Sequence, residues 1–104
     1  MENNQYQLKI FPFAQLDMEQ IFDYISVELC NPTAAIGQIN DFEKAFENVC
    51  AFPESCPYIK NEYVRDKTLR KLIVNNYVAF YRIRNKEIQV VRVLYGTCDY
   101  ESIL

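Results

Sequence analysis

Apolar and polar positions follow two different periods along this chain. Ala14, Met18, Ile21, Phe22, Ile25 and Leu29 recur mostly at steps of three and four, with Asp17, Glu19, Gln20, Asp23 and Glu28 between them. That spacing predicts an amphipathic helix. Pro12 suits its first turn, although Phe11 before it is a poor cap. A second stripe, Ile36, Ile39, Phe42, Phe46, Val49 and Cys50, predicts a second helix. Asn31 can cap it, Pro32 fits its first position and Pro53 stops it. With Asn31-Pro32 as the only breaker, the two helices should form an antiparallel hairpin.

The rest of the chain reads as strands. Tyr6 to Phe11 is a short apolar-rich run that ends at Pro12. After a loop over Pro53 to Lys67 come Leu69–Val74, Tyr77–Arg84 and Glu87–Tyr95, separated by Asn75-Asn76 and Asn85-Lys86. Asn tolerates positive φ, so both pairs suit two-residue hairpin turns and the three runs form a meander. Thr97 to Leu104 is a short tail with no clear pattern. The fold expected is α+β in the order β-α-α-β-β-β, a helical hairpin packed on a small antiparallel sheet, as one domain over residues 1–104.

Two-residue turns also sort the strand residues by face. Leu72, Val74, Tyr77, Ala79, Tyr81, Ile83, Ile88, Val90 and Leu94 fall together, with Arg70 and Arg92 among them. This more apolar face is assigned to the helices. The opposite face carries Leu69, Lys71, Ile73, Val78, Phe80, Arg82, Arg84, Gln89, Val91, Val93 and Tyr95. A monomer rarely leaves such a mixed patch bare, so a partner is expected there. Arg92, placed among apolar neighbours, needs a carboxylate, and Asp17 or Asp23 is available.

Composition narrows the chemistry. The chain has 104 residues, 8 Tyr, 7 Phe and only 2 Gly, enough for one compact core and no phosphate-cradling glycine loop. There is no His, which removes imidazole bases, Ser-His-Asp systems and imidazole metal sites. Acid–base work would fall to Asp, Glu, Lys, Tyr or Cys. No metal ligand set and no cofactor motif is evident. Cys30, Cys50, Cys56 and Cys98 lack C-x-x-C spacing and read as reduced thiols. The polar start Met1-Glu2-Asn3-Asn4 reads as no signal peptide, and no apolar run is long enough for a membrane span.

The net charge of −3 first argues against a polyanionic partner, but it is unevenly spread. Residues 1–57 hold two cations against nine acids; residues 58–92 hold nine cations against three acids; the tail adds Asp99 and Glu101. The helices are therefore acidic and the sheet basic. Such asymmetry points to a charged partner.

Five segments, AQLDMEQIFDYI with Asp17, NPTAA, FPESCPY, LRKLIVNNYVAFYRI and VVRVLYGTCDYESIL, occur in an order that resembles the RelE/ParE superfamily of type II toxin–antitoxin toxins. The resemblance spans Tyr6 to Leu104. It implies a small bacterial cytoplasmic toxin neutralised by a cognate antitoxin, with no membrane partner. RelE-like members cut messenger RNA on the ribosome; ParE-like members inhibit DNA gyrase. RelE-like members typically carry an Arg where this chain has Val78, and many relatives read His-Gly-Arg-Arg where it reads Tyr95-Gly96-Thr97-Cys98. The pattern is nearer to the ParE-like, plasmid-stabilisation branch, which implies gyrase inhibition without catalysis. The alternative is a ribosome-dependent endoribonuclease, for which Lys71, Arg82, Tyr95 and Tyr100 would have to serve. Lys71, Phe80, Arg82, Arg84, Tyr95 and Asp99 are the candidate contacts to target or antitoxin. Packing of Tyr95, and anchoring of the tail by Asp99 and Tyr100, are the plainer roles.

Overall fold

A computed structural model describes residues 6–104; the polar start at residues 1–4 lies outside them. Strand β1 (Gln7–Ile10) leads into helix α1 (Pro12–Asp23), which loosens into a π-helical turn over Tyr24–Glu28. Helix α2 (Pro32–Ala51) follows, then β2 (Arg70–Val74), β3 (Tyr77–Arg84) and β4 (Glu87–Tyr95). A short 3-10 turn at Tyr100–Ser102 closes the described chain. Among the described residues, no helix is long and apolar enough to cross a membrane.

The local signals act as expected. Pro12 stands at the start of α1, whose Phe11 cap makes no side-chain bond. Asn31 Oδ1 accepts from the backbone of Ala34 at 3.1 Å and fixes the start of α2. Cys30 takes φ 51° in the tight turn between the helices. Both hairpins have two-residue turns: Val74 pairs with Tyr77, and Arg84 with Glu87. Asn75, Asn85 and Lys86 carry the positive φ angles that these turns demand.

The sheet order is β1-β4-β3-β2. The three-strand meander is antiparallel, but β1 joins β4 in parallel, so the four-stranded sheet is mixed. The helices supply the crossover that a parallel neighbour requires. They pack Ala14, Met18, Phe42, Phe46, Val49 and Cys50 onto Val74, Ala79, Tyr81, Ile88 and Val90. Leu29 and Ile36, expected in the buried stripes, are exposed, whereas their neighbours Ile25 and Ala35 are buried.

One feature of β4 overturns part of the face assignment. Tyr81 pairs with Val90 but Phe80 pairs with Arg92, so Val91 is bulged out and opposes no residue of β3. Every residue beyond the bulge changes side. Val93 joins the helix-side core, whereas Leu94 packs with Val78 and Phe80 on the far face. Arg92 and Tyr95 shift likewise, opposite Phe80 and Tyr77 respectively.

The far face is not bare either. Ile59 from the loop and Cys98, Tyr100 and Leu104 from the tail cover Val78, Phe80 and Leu94. Asn61 Nδ2 donates to Glu101 at 2.8 Å, tying loop to tail. The chain thus covers much of the patch expected to need a partner.

Candidate functional site

The chemistry of the domain gathers where β4 outruns β1. The β1 pairing stops at Val90, and the chain turns away through Phe11 into α1. The next outward N–H of β4 would be left without a strand to meet. Asp17, one turn into α1 and buried, takes that place: its Oδ2 accepts from the backbone of Val93 at 2.9 Å. The same carboxylate accepts from Arg92 Nε at 2.7 Å and Nη2 at 2.9 Å. Arg92 therefore reaches Asp17 although the bulge moves it off the helix-side face. The bonds that Arg92 donates to Asp17 raise the guanidinium pKa above its ordinary value, against the opposing effect of burial. The expected Arg92–carboxylate pair is present, with Asp17 as the acid.

Two hollows take in residues of this junction, and another lies at the β2–β3 turn. The first, about 590 Å³, lies between the helices and the end of the sheet; Ile21, Tyr24, Leu29, Tyr77 and Tyr95 line it beside Asp17. Tyr77 stacks edge-on against both Phe42 and Tyr95 at 5.7 and 5.6 Å. Burial, then the neighbouring Tyr95 and Tyr24, push its phenol above the ordinary range, so it stays a neutral hydrogen-bonding group.

The second, about 280 Å³, lies at the β2–β3 turn and holds Lys71, Ile73, Asn76, Tyr95 and Thr97. Gly96 belongs to it for a steric reason. Its N–H donates to Asn76 O at 2.8 Å, and a Cβ there would sit 3.1 Å from that oxygen.

The third, about 630 Å³, opens between the start of α1, the loop and the tail, and both Arg82 and Arg92 line it. Arg82 Nη1 donates to Asp66 at 2.9 Å and Nε to Gln89 at 2.8 Å. Burial alone would raise the Asp66 pKa, but bonds from the Thr68 side chain and backbone and from Arg82 outweigh it and hold the carboxyl below its ordinary range.

Of the seven candidate residues, Lys71 and Tyr95 share the second hollow, and Arg82 lines the third. Phe80 is fully buried beneath Tyr100, with ring centroids 5.0 Å apart, and packs in the core. Tyr100 is correspondingly an anchor for the tail. Arg84 is exposed at the end of β3. Asp99 caps the 3-10 turn, accepting from Glu101 N at 3.3 Å. The sequence reading missed Asp66, whose only signal is the Asp-x-Thr spacing of a side-chain turn. It also missed the exposed Tyr24, Leu29 and Phe13 as groove residues, because periodicity ranks them only as core or surface.

Cys30 is exposed, Cys50 buried, and Cys56 and Cys98 intermediate. All four are free, and burial, then Glu47, push the Cys50 thiol up, away from the reactive thiolate. Among the described residues, no group of His, Cys, Asp and Glu is placed to hold a metal ion.

Residues 8–100 match the family model described as ParE toxin of type II toxin-antitoxin system, parDE. No curated protein matches the chain. Among the solved structures that share its fold are the following two. A chain of the chromosomal ParDE toxin–antitoxin system from P. aeruginosa is 23% identical, with a TM-score of 0.72, over 89% of this chain and 98% of that one. A chain of the RelBE2 toxin–antitoxin complex from Mycobacterium tuberculosis is 15% identical, with a TM-score of 0.58, over 88% and 98%.

Proposed function

Because the chain belongs to the ParE toxin family of type II toxin–antitoxin systems, we propose that it inhibits DNA gyrase by binding it in the bacterial cytoplasm, and that a cognate antitoxin neutralises it by covering this domain. One observation carries the choice of a binder over a nuclease. Cutting RNA needs a base for the 2′-hydroxyl, an acid for the leaving oxygen and cations for the phosphate, all at one point. Lys71 and Tyr95 share a hollow, but Arg82 lines another groove and is engaged by Asp66 and Gln89, while the Tyr100 ring packs on Phe80. Val78, where RelE-like relatives place an Arg, is a buried core residue. The groups available are dispersed over the sheet and suit contact better than turnover.

Two assays on the purified chain test this. Gyrase supercoiling is measured in vitro, and messenger cleavage is mapped on translating ribosomes. Inhibited supercoiling with intact messenger is the expected result. Codon-periodic cleavage that disappears in Lys71→Ala, with supercoiling unaffected, overturns it in favour of the ribosome-dependent endoribonuclease.

A further inference from the structure

The groove between the start of α1 and the tail combines apolar walls with two guanidinium groups. Its walls are apolar: Phe11 and Phe13 on one side, Leu69 and Ile103 on the other. Phe13 is 67% exposed and Ile103 38%, an unusual outlay of apolar surface for residues that bury little. Set among them are two guanidinium groups. Arg82 lies 5.5 Å from the Phe11 ring centre and Arg92 5.5 Å from that of Phe13. Each is held by an aspartate, yet among the described residues Arg82 Nη2 and Arg92 Nη1 make no hydrogen bond. Each arginine side chain is 24% exposed. Lys9, 5.8 Å from the same Phe11 ring, adds a third cation at the rim.

A guanidinium fixed in one orientation by a carboxylate has already lost its rotamer freedom, so its remaining N–H groups bind an acceptor at low entropic cost. Asp17 and Asp66 hold the two arginines and leave Lys9 unpaired among the described residues, in a chain whose net charge is −3. From this geometry we infer that the groove is the docking site for an acidic, apolar-anchored segment of the antitoxin: a carboxylate received by the open N–H groups of Arg82 and Arg92, flanked by an aliphatic or aromatic side chain between Phe13 and Ile103. The inference rests on the reading that an antitoxin neutralises this chain.

The test avoids the arginines, whose loss would strand Asp17 and Asp66, and adds charge at exposed positions instead. Phe13→Glu and Ile103→Glu place a carboxylate in the groove where little packing is lost; Tyr24→Glu does the same in the helix-side hollow. Each variant and the parent chain are co-expressed with the product of the adjacent reading frame, and the complexes are titrated by calorimetry after circular dichroism confirms an unchanged fold. The expected result is a Kd raised about tenfold or more by Phe13→Glu and by Ile103→Glu. The parent complex should weaken from about 50 to about 300 mM NaCl, and that salt dependence should be preserved in Tyr24→Glu. A complex that forms normally in both groove variants and is lost in Tyr24→Glu overturns the groove assignment and leaves the antitoxin reading standing. No complex with the parent chain overturns both.

Discussion

Asp17–Arg92 and Asp66–Arg82 use the same two residue types at similar lengths, 2.7 and 2.9 Å, and their surroundings divide them. Asp17 is 8% exposed and accepts three hydrogen bonds, one from the backbone of β4. It completes the sheet where β1 leaves it, so its carboxylate does the work of a missing strand. Asp66 and Arg82 are each about a quarter exposed, and Asp66 also accepts three hydrogen bonds, but two of them come from Thr68 in its own loop. It pins that loop over a sheet face which would otherwise be open. The difference shows that an ion pair's charges alone say little about its worth: the backbone group bonded to the acid, and the water excluded around it, decide that.

The largest effect expected is therefore at Asp17. Asp17→Ala leaves Arg92 partly buried without its acid and Val93 N–H without an acceptor, and should cost about 3–5 kcal/mol. Urea denaturation at neutral pH measures it. A loss below about 1 kcal/mol would make the two pairs equivalent and break the comparison. The next effect separates charge from backbone. In Asp17→Leu combined with Arg92→Met no charge is stranded, but the Val93 amide still lacks its partner. This double variant should recover part of the loss and remain about 1–3 kcal/mol below the parent. Full recovery would mean that the amide bond contributes nothing.

How much of this was legible in the chain follows from the same contrast. An arginine at position 92 interrupts a strand and needs a carboxylate, so a pair with Asp17 or Asp23 could be read without coordinates; the choice of Asp17 could not. The helices, the hairpin turns and the strand limits were equally local, fixed by Pro12, Asn31, Pro32 and the asparagine-led turns. The bulge at Val91 was not legible. It has no glycine or proline to mark it, and one skipped residue reverses the faces of Arg92, Val93, Leu94 and Tyr95. The tail was not legible because its conformation is set by where it lands: Tyr100 on Phe80 and Glu101 on Asn61 are contacts across 20 and 40 residues of sequence. For that reason Phe80 looked like surface and is core.

Asp66→Asn should lower stability by only about 1 kcal/mol at neutral pH. The amide keeps an oxygen for the Thr68 bonds but loses the charge that meets Arg82. A loss as large as that of Asp17→Ala would show that the loop, not the corner of the sheet, carries the fold.

The smallest effect is the pH dependence of that same pair, and its sign follows from the direction of the shift. The Asp66 pKa is lowered in the folded chain, whereas the unfolded value is the ordinary one near 3.9. The folded chain therefore holds this proton less readily than the unfolded chain does. The contribution is complete above about pH 4 and is lost as pH falls through the lower folded value. Denaturation midpoints of the parent and Asp66→Asn, compared from about pH 6 down to about pH 2, should be separated by a constant gap that closes only below about pH 4. A gap that begins to close well above the ordinary carboxyl value would mean that burial, which pulls the other way, outweighs Thr68 and Arg82. Asp66 would then resemble a stranded buried acid, and the distinction drawn between loop pin and strand substitute would fail at the loop.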